Sequence, residues 1–140
     1  MLPLLWVALH VVKTFSGLPA GILSDKIGRK ALIVGGWVVY AAVYVGFGLA
    51  GTAWHIWALF VAYGFFFGMT EAAERALVAD FYPSEQRGRA YGLYNAAIGI
   101  GALPASVLMG WLWSQFGIGV AFSTGAGLAG AAAVLLLTLL

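Results

Sequence analysis

The sequence predicts an all-α, polytopic membrane protein, a bundle of about five transmembrane helices. Three observations carry that expectation. Hydrophobic residues make up 63% of the chain and charged residues only 9%, whereas a soluble domain carries about a quarter charged residues. Mean hydropathy is correspondingly high, at +0.97. Long apolar runs alternate with two short charged joints and two short uncharged turns. At roughly 20 apolar residues per span, a chain of 140 residues holds about five.

Composition also excludes several chemistries. Cysteine is absent, which removes disulfides, thiolate metal sites and a cysteine nucleophile. The formal charge of +2 is small, and no basic run suits nucleic acid. Neither metal-ligand spacing, a phosphate loop nor a nucleophile–base pair is present, so the sequence implies no metal, no cofactor and no enzyme. Glu71-x-x-Glu74-Arg75 lacks the paired histidines of a zinc hydrolase helix. A cleaved signal peptide is not expected, because nothing basic precedes the first apolar run and Lys13 interrupts it.

The first span is expected over residues 1–23. Pro3 fits a first helical turn, and Pro19 is expected to kink or tighten the far end. Gly17 and Gly21 form a small-xxx-small step for a close neighbour. His10 and Lys13 lie three apart on one face. His10 reads as a packed, hydrogen-bonded histidine. Lys13 is about ten residues from either end of its span, so it needs a carboxylate partner or a cavity.

The joint that follows, Gly21 to Lys30, organises the chain. Asp25, Lys26, Arg29 and Lys30 place four of the twelve formal charges within six residues. Gly21 and Gly28 allow close backbone approach or positive φ. Asp25 can cap a helix start or sit against a positive helix end.

A second span covers 31–50, and Gly51-Thr52 makes a short uncharged turn. The third span, 54–79, contains the small-xxx-small step Gly64–Gly68, and its last third carries Glu71, Glu74, Arg75 and Asp80. In the second charged joint Pro83 stops the incoming helix, and Ser84 is expected to cap the next one with Glu85 in its first turn. The fourth span, 85–113, includes Pro104 and a polar patch of Tyr91, Tyr94 and Asn95 suited to a helix–helix hydrogen bond or to substrate contact. A fifth span, 117–140, is charge-free. The two basic joints fall on one side of a five-span chain. By the positive-inside rule that side, and the C-terminus, is cytoplasmic.

Glu71, Glu74 and Arg75 sit where each charge costs about 2.5–3.5 kcal/mol at the bilayer centre. Their i,i+3 and i,i+4 spacing suggests one shared face, on which two carboxylates compete for one arginine. Glu71, one turn deeper, is expected to be the less paired of the two and the candidate proton carrier. A purely structural ion pair is the competing reading. Asp80, near a helix C-terminus, needs a basic partner. Arg29 is the expected one, with Arg75 as competitor.

Gly21-x-Leu23-Ser24-Asp25-Lys26-x-Gly28-Arg29-Lys30 resembles the G-x-L-a-D-R-x-G-R-R/K signature of the major facilitator superfamily of transporters, with Lys26 where the family usually has Arg. The run Glu74-Arg75-Ala-Leu-Val-Ala-Asp80, then Pro83 and Arg87-Gly88-x-Ala90-x-Gly92-Leu93, is similar to the C-terminal halves of bacterial permeases. A chain ending just after its last span points the same way. Gly21-x-Leu23-x4-Gly28 recurs as Gly110-x-Leu112-x4-Gly117, in keeping with an inverted repeat. The resemblance implies that residues 1–140 form a partial C-terminal half lacking one helix and the opposite half, in a bacterial inner membrane. It also implies ion- or proton-coupled transport of a small solute. Gly21, Asp25, Lys26, Gly28, Arg29 and Lys30 would form the cytoplasmic gating motif, with Asp80 as a charge partner. Lys13, Glu71, Glu74, Arg75 and Asn95 are the candidate coupling or cavity residues. The expected partners are the lipid bilayer, an unidentified small-molecule substrate, and the missing half or another helical partner. A truncated product acting only through helix packing, or a small oligomeric channel, are the alternatives.

Overall fold

In hydrocarbon a backbone must satisfy its own polar groups, so long apolar runs fold as helices. The computed structural model describes residues 2–139. It contains α1 (Leu2–Ile27), α2 (Arg29–Leu49), α3 (Ala53–Asp80), α4 (Arg87–Phe116) and α5 (Ile118–Leu139), with a 3-10 turn over Ser84–Gln86. All five helices are long and apolar enough to cross a membrane. The shortest, α2, has 21 residues, which at 1.5 Å per residue matches a hydrocarbon core of about 30 Å. Pro19 and Pro104 lie inside α1 and α4 without interrupting either helix.

Two of the joints are one residue long. Gly28 (φ 91°) separates α1 from α2, and Gly117 (φ 86°) separates α4 from α5; among the described residues they alone have positive φ. Their hydrogen bonds are equivalent. Gly28 N–H donates to the Ser24 carbonyl at 3.0 Å and its own carbonyl accepts from Leu32 at 3.3 Å. Gly117 N–H donates to Trp113 at 3.0 Å and its carbonyl accepts from Ala121 at 3.3 Å. Each glycine thus ends one helix and starts the next, in a positive-φ, extended-ψ conformation open almost only to glycine, which costs another residue about 1–3 kcal/mol. The sequence echo is therefore a structural one.

This geometry also alters an expectation. The charged joint is not a loop between residues 23 and 31: α1 continues to Ile27, so Asp25 and Lys26 occupy its last turn. At the other joint, Ser84 does not cap a helix. Its hydroxyl is captured by the neighbouring Glu85 carboxylate at 2.7 Å, and α4 starts at Arg87 with no side-chain cap. Thr52 caps instead, accepting from the His55 N–H at 3.4 Å to start α3.

α3 packs along α1 and α2, and α2 also packs along α5. Ala20, Leu32, Ile33 and Ala73 form a buried core where α1, α2 and α3 meet. α4 leans on α5 and α3 and buries only Ala90 and Leu112.

The tightest contact is between α3 and α1. A Cβ added to Gly64 would lie 2.8 Å from the Leu9 carbonyl oxygen and 2.9 Å from Val12 Cβ. One added to Gly68 would lie 2.9 Å from Ser16 Cβ and 3.1 Å from the Lys13 carbonyl oxygen. Gly17 and Gly21 do not serve as the expected close-packing step, since nothing lies within 4 Å of a Cβ at either. The reason is that α3 brings its own glycines against Val12 and Ser16, so the contact runs along a different stripe of α1.

Replacing Gly64 with Ala is expected to destabilise the bundle, because overpacking costs about 1–3 kcal/mol and exceeds the gain in helix propensity of about 1 kcal/mol. Gly21→Ala, in open space, is expected to be neutral or stabilising. Unfolding of the chain in mixed micelles, followed by circular dichroism, reads both signs.

Candidate functional site

The polar side chains of the bundle converge on the last half of α3, in three groups. The first lies at the joint end. The Arg29 guanidinium, on the first turn of α2, donates to the Ala76 carbonyl and pairs with the Asp80 carboxylate. The adjacent Lys30 donates its Nζ to the Leu137 carbonyl at 3.2 Å. Consecutive residues of α2 thereby bind carbonyls near the ends of α3 and α5. Cations are unfavourable at the start of their own helix but favourable at the ends of two others. The expected Arg29–Asp80 contact is present, and Arg75 does not compete for Asp80. Asp25 and Lys26 are exposed, and among the described residues neither forms an ion pair.

The second group is an ion cluster at the α1–α3 contact. Because Gly64 and Gly68 bring α3 against α1, Lys13 reaches Glu71 and pairs with it. Arg75, one turn further along α3, reaches back to the same carboxylate at 3.2 Å. The Lys13 ammonium also sits 5.6 Å from the centre of the Phe67 ring, within cation–π range. Lys13, Glu71 and Arg75 line a pocket of about 240 Å³ with Gly17, Phe67, Gly68 and Ala72.

The third group surrounds Glu74, on another side of α3. Trp37 Nε1 of α2 donates to Glu74 Oε1 at 3.3 Å, and the Tyr94 hydroxyl of α4 donates to Oε2 at 2.6 Å. Both donors are neutral, and no cation pairs with Glu74 among the described residues. This reverses the expected assignment of the two carboxylates. Glu71, held by Lys13 and Arg75, is the paired one, and Glu74 is the one without a basic partner. The two do not share a face for a cation to choose between, because α1 supplies a second cation on the Glu71 side only.

Trp37 also lines a larger cavity of about 730 Å³ between α2, α3, α4 and α5. Its walls are Tyr40, Tyr44, Phe66, Trp113 and Phe122, with small residues of α4 and α5 opposite. Tyr40 and Tyr44 stack with ring centres 4.1 Å apart.

Asn95 takes no part. It is exposed and its side chain makes no hydrogen bond among the described residues. The inter-helix bonds of α4 come instead from the two tyrosines, Tyr94 to Glu74 and Tyr91 to the Arg75 carbonyl at 3.2 Å. Their longer side chains span a gap that Asn95, on a different side of α4, does not face. His10 is stacked on Trp6, with ring centres 5.9 Å apart. Trp37 went unnoticed in the sequence, although an indole N–H in the middle of an apolar span always needs an acceptor.

Five helices long and apolar enough to cross a membrane, with two glycine reversals and a cation-bearing joint, define a helical membrane protein. The chain matches the model of the Major Facilitator Superfamily over residues 4–140, and it belongs to that superfamily. It is 39% identical over 100 residues to an uncharacterized MFS-type transporter of Methanocaldococcus jannaschii, covering 71% of this chain and 25% of the relative. It is 30% identical over 110 residues to the multidrug resistance protein MdtH of Citrobacter koseri, covering 79% and 27%. A probable galactarate/D-glucarate transporter of Bacillus subtilis is 37% identical over 109 residues, covering 71% and 23%. The chain therefore spans about a quarter of the length of these relatives.

Arg29→Ala is expected to cost more than Asp80→Ala. Arg29 serves both the Ala76 carbonyl and Asp80; the carbonyl keeps its helical partner, but losing the charge-assisted bond to it costs about 1.5–3 kcal/mol. The Asp80 side chain is 54% exposed, so losing that carboxylate alone costs about 1 kcal/mol or less. Thermal unfolding of both single variants and the double variant measures the difference and the coupling.

Proposed function

We propose that this chain is the C-terminal portion of a secondary transporter that moves a small solute across the membrane, with proton coupling carried by Glu74. The carrying observation is the environment of that carboxylate. It lies within a membrane-crossing helix, each of its oxygens accepts from one neutral donor, and among the described residues no cation pairs with it. An ionisable residue inside a membrane span without a basic partner marks a functional site, and Glu74 is the carboxylate of α3 so placed. Tyr94 and Trp37 hold it between α2, α3 and α4, so proton uptake weakens contacts among three helices at once. Glu71, offset by Lys13 and Arg75, has no such charge to discharge.

The joint from Gly21 to Lys30 supplies the gate in this reading. Arg29 and Lys30 hold the ends of α3 and α5 together, and Asp25 and Lys26 remain outward for contact with the opposite half. That end of the bundle is cytoplasmic, as is the C-terminus, in the plasma membrane of a bacterium-like cell. Gly21 and Gly28 complete the motif, Gly28 by its positive φ. The sparsely buried α4 supports a further helical partner, from the missing helix or the opposite half. The named relatives handle unlike cargo, drugs in one case and sugar diacids in another, so their names do not choose a substrate.

The test uses the longest reading frame that contains this chain, reconstituted in proteoliposomes. Glu74→Gln is expected to keep solute exchange while abolishing accumulation driven by a pH gradient. Undiminished accumulation would remove Glu74 from coupling. For sidedness, reporters fused at Ser84 and after residue 139 are expected to read cytoplasmic, and those at Thr52 and Gln115 external. A cytoplasmic signal at Thr52 overturns the topology.

A further inference from the structure

The charges of α3 are sorted by side, and the sorting leaves the two sides unbalanced. Toward α1, Lys13 and Arg75 share the single carboxylate of Glu71, so the pocket there carries one positive charge in excess. The other residues lining it, Gly17, Phe67, Gly68 and Ala72, are uncharged. Glu74, the nearest further carboxylate on α3, is turned away and occupied by Trp37 and Tyr94. An excess charge held among membrane helices is costly unless an anion neutralises it.

Several features make this a place for a ligand and not only a defect. Arg75 spends Nη2 on Glu71 while its side chain remains 57% exposed, which leaves other guanidinium donors free. A guanidinium presents a planar fork matched to a carboxylate, and Lys13 adds a point charge from the facing helix. The small residues Gly17, Gly68 and Ala72 keep the space between the two cations open, and Phe67 forms an apolar wall. The pocket of about 240 Å³ equals roughly eight water molecules at about 30 Å³ each, enough for a short organic acid.

From this we infer that the pocket between α1 and α3 binds the carboxylate of a small organic anion through Arg75 and Lys13, which makes the cargo an organic acid. The inference rests on the transporter reading, but its readout is equilibrium binding and not flux. Loss of coupling in Glu74→Gln is read by accumulation, so the two readings fail separately.

The experiment titrates succinate into the whole chain in lipid nanodiscs by isothermal calorimetry, with uncharged succinamide as control. Saturable succinate binding without succinamide binding is expected. Lys13→Gln and Arg75→Gln are each expected to weaken it by about tenfold, the effect of losing one charge-assisted contact. Glu71→Gln removes a negative charge beside the ligand and is expected to tighten binding by roughly threefold or more. A residue serving only as a structural ion pair would not do so. Circular dichroism and gel filtration verify folding, and should Glu71→Gln fail to fold, the two cation variants decide. Absence of succinate binding, equal binding of succinamide, or unchanged binding in both cation variants overturns the proposal, as does weaker binding by a folded Glu71→Gln. The excess charge would then belong to a carboxylate of the opposite half.

Discussion

The close approach of α1 and α3 at Gly64 and Gly68 is the constraint on which the polar interior depends. With side chains at those positions the helices would separate, since a Cβ at Gly64 would meet the Leu9 backbone at 2.8 Å. Only at this separation can Lys13 pair with Glu71, and a lysine left unpaired in hydrocarbon costs about 2.5–3.5 kcal/mol. The rest follows by elimination. Lys13 fixes Glu71, Arg75 reaches back to the same carboxylate, and Glu74 is left to the neutral donors of α2 and α4. Two glycines with no chemistry of their own thus decide which carboxylate on α3 is paired.

The joints show a separate division of labour. Gly28 and Gly117 make the same reversal with the same two hydrogen bonds, yet only the first is surrounded by charge. The turn itself therefore needs a glycine and nothing else. Arg29 and Lys30 act elsewhere, on the carbonyl ends of α3 and α5, where helix dipoles favour cations. Those contacts tie together helices that are distant in sequence, so the basic residues close one end of the bundle as well as biasing its orientation.

Much of this was legible in the sequence. The apolar runs and the two charged joints specified five helices, because hydrocarbon leaves the backbone no other solution. The Arg29–Asp80 pairing was legible too, since an anion at a helix C-terminus demands a cation and the joint offered one. What escaped was direction around a helix. Spacing alone put Glu71, Glu74 and Arg75 together, but residues three apart differ by about 60° around the axis, and the neighbours of α3 turned that offset into opposite environments. Asn95, exposed on another side of α4, makes no helix–helix hydrogen bond for the same reason. The Ser84 cap was lost to a local competitor, the carboxylate one residue away. Which of the glycine pairs made the close contact depended on helix rotation, which composition does not encode.

The single-residue reversals have a mechanical consequence. A loop of several residues can stretch or rewind, so that one helix shifts while its neighbour stays still. A lone glycine bonded to both helices at once, as Gly28 is to Ser24 and Leu32, has no slack to give. α1 and α2 are therefore locked to each other at that end, and α4 and α5 at theirs. What slack the connections have lies in the two longer ones, around Gly51-Thr52 and through residues 81–86, which flank α3 on either end. The helix that carries the ionisable residues is the one hung between the two compliant points.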